Sequence, residues 1–87
     1  RKIYLKYENF EGKVIELTFY FQSRVFQLDN EKHTVTDIWI HNDNGQFFDA
    51  NDNISNNYLI WSTDKGSFVL SACLDQQQMI KIAENIK

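Results

Sequence analysis

Leu74-Asp75-Gln76-Gln77-Gln78-Met79-Ile80-Lys81-Ile82-Ala83-Glu84-Asn85-Ile86-Lys87, the last stretch of the chain, decides the fold. Asp75 can cap a first helical turn, Gln78 stands where a capping-box partner belongs, and Leu74 with Met79 matches the hydrophobic staple, so a helix should start at about Gln76. Met79, Ile82, Ala83 and Ile86 recur at i, i+3, i+4 and i+7, with Ile80 beside them, while Lys81, Glu84, Asn85 and Lys87 face outward. Such a stripe must bury itself against something, and the rest of the chain supplies a sheet.

Working back toward the N-terminus, residues 67–74 set Phe68, Leu70, Ala72 and Leu74 on one side, and residues 58–63 precede them across Asp64-Lys65-Gly66, which reads as a hairpin. A polar loop over 51–57 is anchored by Ile54 alone. Residues 34–41 are β-branched and aromatic, and Asn42-Asp43-Asn44-Gly45 reads as a hairpin turn into a returning strand over 46–50. The segment 23–33 suggests a short or bulged strand through Val25, Phe26 and Leu28, followed by a polar connection. Residues 13–22 alternate Ile15, Leu17, Phe19 and Phe21 against Glu16, Thr18, Tyr20 and Gln22. Residues 2–8 place Ile3, Leu5 and Tyr7 against Lys2, Tyr4 and Lys6, so the two segments form a hairpin about a turn at 9–12. All three glycines fall in the proposed turns. The expected fold is α+β: an antiparallel β-meander of about five to six strands with one C-terminal amphipathic helix packed on one face.

Eighty-seven residues make one domain, and 43% apolar and 15% aromatic content is enough for a single core. Nine basic against twelve acidic residues, with no basic cluster, disfavour nucleic acid as a partner. No apolar run approaches the ~20 residues that cross a bilayer, so the segment reads as soluble. The start at Arg1, already strand-like, suggests a piece excised from a longer chain, with any signal peptide or membrane anchor upstream. Cys73 is the only cysteine, which excludes an internal disulfide and a cysteine zinc cage.

No convincing catalytic, cofactor or metal constellation emerges. Oxygen-bearing side chains alternate through Asp49, Asn51 and Asn53, but a calcium loop counted from Asp49 would need Gly and Glu where Ile54 and Ile60 stand, so an Asn/Asp-rich turn is the better reading. His33, His41 and Cys73 sit in settings that favour structural or surface roles, and Glu16, mid-strand opposite the core face, has no identifiable acid–base partner. An enzyme would require a cleft joining at least two of these four. Tyr4, Tyr20, Trp39 and Trp61 are candidates for one aromatic surface on the sheet face opposite the helix, a ligand or partner site if they are not simply cross-strand packing.

Leu59-Ile60-Trp61 entering a hairpin, Phe68-Val69-Leu70-Ser71 and the helix MIKIAENIK resemble the domain of unknown function family 4367, as does the opening IYLKYENFEGKVIELTF. Ala72-Cys73 stands where that family often has Gly. The resemblance implies a bacterial, mostly Gram-positive, extracytoplasmic domain that commonly follows a single membrane-spanning segment, in membrane-anchored or lipoprotein form, with some relatives in proteins resembling anti-sigma regulators. It carries over no catalytic residues. The expected function is therefore a non-enzymatic extracytoplasmic interaction or sensing domain for a protein or cell-envelope ligand. The alternative is a small carrier holding an apolar or lipid ligand between sheet and helix.

Overall fold

The computed structural model describes residues 2–8, 12–21, 33–52 and 54–86. Six antiparallel strands form one sheet: β1 (Lys2–Glu8), β2 (Val14–Tyr20), β3 (Thr34–Ile40), β4 (Asp43–Asp49), β5 (Asn57–Thr63) and β6 (Gly66–Ala72), followed by the helix α1 (Gln76–Glu84). The strand order is β1-β2-β6-β5-β4-β3. The meander therefore runs from β3 through β6, and the β1–β2 hairpin joins it along β6. The segment suggested as a strand over 23–33 lies, apart from His33, outside the described residues.

The helix begins as its cap residues dictate. Asp75 is extended and accepts a hydrogen bond from the Gln78 backbone N–H at 2.8 Å, while the Asp75 N–H donates to Gln78 Oε1 at 3.2 Å, completing the capping box. Leu74 and Met79 are both buried in the core, as a staple requires. At the other end the Asn85 side chain donates to the Lys81 carbonyl at 2.7 Å and its backbone N–H donates to the Ile82 carbonyl, closing the last turn.

Register confirms the alternation. Leu17 lies opposite Leu70, and Leu70 opposite Leu59, which pairs in turn with Phe47. These four residues meet Met79 and Ala83 of the helix in one cluster, to which Ile38, Ile40, Trp61 and Ala72 also belong.

The β3–β4 turn falls earlier than expected. It consists of His41 and Asn42, with His41 at φ 56°, so Asn44 and Gly45 are inside β4 and not in the turn. Packing explains the glycine: a Cβ on Gly45 would stand 2.6 Å from the Ile60 carbonyl oxygen and 2.8 Å from the Trp61 Cβ. Gly66, by contrast, does follow a two-residue turn, and its φ of 154° and the proximity of the Tyr20 carbonyl oxygen leave no room for a side chain.

Helix dimensions determine what remains uncovered. Nine residues give a rod about 14 Å long and roughly 10–12 Å across, against a sheet whose six strands span about 24 Å. The helix cannot shield the whole face. Ile3, Leu5 and Tyr7, on the same face as the core rows, remain 47%, 43% and 52% exposed.

Candidate functional site: an apolar groove beside the first strand

The uncovered part of the face is shaped. Between β1–β2 and the C-terminal end of the helix lies an apolar groove of about 540 Å³, walled by Ile3 and Leu5 on one side and Ala83 and Ile86 on the other. Leu17, Phe19, Phe68 and Trp61 form its floor, and His41, Asp43, Asp64 and Lys65 its polar rim. A smaller hollow of about 220 Å³, lined by Tyr7, Ile15, Leu70 and Ile82, adjoins it, since Leu17 and Ile86 border both. The combined size falls within the ~300–1,000 Å³ of typical small-molecule sites.

An aromatic row makes the floor rigid. Trp61 stacks on Phe68 with ring centroids 4.9 Å apart and planes 8° from parallel, and Phe68 meets Phe19 at 4.6 Å. This row crosses β5, β6 and β2, so the cross-strand pairing Trp61↔Phe68↔Phe19 builds it directly. His41 closes one end: its Nε2 donates to the Glu84 carbonyl oxygen at 2.8 Å and ties the β3–β4 turn to the helix terminus.

The four aromatic candidates do not share one surface. Trp61 is 3% exposed and faces the helix, because it stands two residues from Leu59 on a strand with period two. Tyr4, Tyr20 and Trp39 do lie on the opposite face, yet Tyr20 and Trp39 are on β2 and β3, four strand spacings or about 19 Å apart. The Tyr4 hydroxyl donates to Glu16 Oε2. That bond, with some desolvation and the Glu16 charge, raises the phenol above its ordinary value.

The residues weighed for an acid–base or nucleophilic role are dispersed as well. Glu16 is on β2, His33 precedes β3 at the opposite edge, His41 holds the helix end, and the half-buried Cys73 follows β6. His33 contacts the Tyr58 ring at 5.8 Å, and its ring nitrogens are buried with no hydrogen-bond partner among the described residues.

In the Asn/Asp-rich turn, Asp49 Oδ1 accepts from the Asn51 N–H at 2.8 Å and Asn51 Oδ1 accepts from the Thr34 hydroxyl at 3.2 Å, while Asn53 lies outside the described residues. Asp52 Oδ1 accepts from the Ser55 N–H at 2.6 Å and the Ile54 N–H at 2.9 Å, and Oδ2 accepts from the Ser55 hydroxyl at 2.9 Å. These bonds hold the Asp52 carboxyl below its ordinary value. Asn57, buried beneath, accepts from the Ala50 N–H at 2.8 Å and donates to the Leu74 carbonyl at 2.7 Å, joining this turn to the start of the helix. A polar hollow of about 570 Å³ lies here, bordered by Lys13, Asp49, Asp52, Cys73 and Asp75. Among the described residues, no three His, Cys, Asp or Glu side chains gather as a metal site would require.

The groove residues Ile3, Leu5, Phe19, Phe68 and Ile86 were not singled out as a site by sequence reasoning. Their signal was a mismatch of widths: six alternating strands against one short helix leave apolar rows without cover.

The fold and groove together define a small α+β domain with an apolar, solvent-open concavity on its helix-bearing face. The chain belongs to the family described as Domain of unknown function (DUF4367), which it matches over residues 1–86. No curated protein and no solved structure matches it. No helix among the described residues is long and apolar enough to cross a membrane.

Proposed function

We propose that the domain is a non-enzymatic extracytoplasmic interaction or sensing module whose groove beside β1 receives the apolar part of a protein or cell-envelope ligand. The observation that carries this reading is the groove itself: a preformed concavity floored by stacked aromatic rings and edged by apolar side chains that water reaches. The dispersal of Glu16, His33, His41 and Cys73 supports a binding role over catalysis, since proton transfer needs partners within about 3 Å or one bridging water. The carrier reading is second. Exposure of Ile3 and Leu5 favours a site open along one side over an enclosed pocket.

Titration of the isotope-labelled chain with decanoate, a single apolar tail on a small charged head, tests the groove by amide chemical-shift mapping. Shifts should concentrate at Ile3, Leu5, Leu17, Phe19, Phe68 and Ile86, and Leu5→Ser should weaken them. Absence of binding at about 1 mM, where interaction energies fall near 4 kcal/mol, or shifts spread away from the groove, would remove the reading. A reporter active only outside the cytoplasm, fused to the full-length protein, tests the compartment. A silent reporter on a stably produced fusion counts against it.

A further inference from the structure

We propose that β1 is a self-pairing edge, joining two copies of this chain through an antiparallel β1–β1 contact centred on Leu5. Among the described residues the strand is at the margin of the sheet, with β2 on one side and no strand on the other. Ile3, Tyr4, Leu5 and Tyr7 are all more than 40% exposed, an unusual apolar content for an outermost strand. Nothing here depends on what occupies the groove.

Charge selects the second copy as occupant and fixes the register. A two-fold axis through Leu5, perpendicular to the sheet, sets Leu5 against Leu5, Ile3 against Tyr7, Tyr4 against Lys6, and Lys2 against Glu8 of the second copy. All seven residues then pair, apolar with apolar on the helix side and positive with negative at both ends. Sliding by two residues in one direction sets Lys2 against Lys6. Sliding in the other sets Lys6 against itself. Both slips pair only five residues and oppose like charges, so the Leu5-centred register is favoured.

The opposite edge makes a useful contrast. The register that pairs all seven residues of β3 with a second β3 sets Asp37 against Asp37, a like-charge clash at its centre. Of the two described edge strands, β1 is the one that is self-complementary along its full length. Joined there, two sheets become one of twelve strands with both helices on the same side and the two grooves adjacent across the axis.

Sedimentation equilibrium of the 87-residue chain at low ionic strength tests this, with circular dichroism to confirm that each variant is folded. The wild-type chain should show a concentration-dependent dimer. Glu8→Lys and Lys2→Glu should each weaken it about tenfold, by turning two attractive end pairs into repulsive ones. An equimolar mixture of the two variants should restore association, because each then presents the charge that the other lacks. A chain that stays monomeric to about 1 mM, a dimer indifferent to both changes, or a mixture no tighter than either variant alone would each overturn the proposal.

Discussion

Leu59 and Leu5 point to the same side of the same sheet, and their fates differ completely. Leu59, on β5, is fully buried beneath the helix, whereas Leu5, on β1, is 43% exposed. Strand alternation put both on the apolar face. What separates them is lateral distance from a helix too narrow to reach across six strands. A period-two pattern thus marks which face is apolar, and the covering element decides which part of that face becomes core and which becomes surface.

The sharpest way to break this comparison is to truncate both leucines. Leu59→Ala should cost about 3–5 kcal/mol, the sum of lost transfer energy and a cavity that close packing prevents from collapsing. Leu5→Ala should cost about 1 kcal/mol, since much of its side chain already meets water. Urea unfolding of both variants, with slopes compared to wild type, measures the difference. Equal losses would mean that β1 is covered as fully as β5, and the groove would have no opening.

A smaller effect sharpens the contrast between the two ends of the helix. The C-terminal end borders the apolar groove, and the N-terminal end is held by Asn57, whose amide reaches both the Ala50 N–H and the Leu74 carbonyl. Asn57→Ala should cost about 2 kcal/mol, because the buried Leu74 carbonyl and the part-buried Ala50 N–H both lose their hydrogen bonds. Amide exchange should quicken at Ala50 and in the first helical turn, and hardly at all at Leu17 or Phe19. Uniform quickening would show that the two ends are one cooperative unit.

Much of this architecture was legible in the residues. The cap Asp75, its partner Gln78 and the staple Leu74–Met79 act within one helical turn, so local chemistry alone fixes where α1 starts. The β1–β2 hairpin and the Asp64–Lys65 turn were equally local. Gly45 was not, because Asn-Gly is a turn signal by conformational preference, whereas here the missing Cβ makes room for Trp61 from the neighbouring strand. Long-range pairing also explains Trp61, whose side could be assigned only once its register with Phe68 and Gly45 was known. The joining of β2 to β6 is non-local in the same sense: no residue near Leu17 announces that Leu70 will be its neighbour. The groove inherits this illegibility, since its walls come from β1 and from a helix some eighty residues downstream.

The smallest expected effect concerns the polar turn that faces Asn57. Asp52 accepts hydrogen bonds first from the Ser55 N–H, then from the Ile54 N–H and the Ser55 hydroxyl, and these outweigh the slight desolvation of its carboxyl. Its folded value therefore lies below 3.8, the ordinary value of the side chain. A carboxyl so lowered contributes stability that is present above its unfolded value and is lost as the pH falls through its folded one. Asp52→Asn removes the charge and weakens these acceptors, so the variant should be slightly less stable than wild type at pH 7, with the gap closing on acidification below 3.8. Paired urea titrations across the acid range read it. A gap that widens as the pH falls would mean that the ionised Asp52 strains the turn, and the internal satisfaction that sets this end of the molecule apart from the open groove would be lost as an explanation.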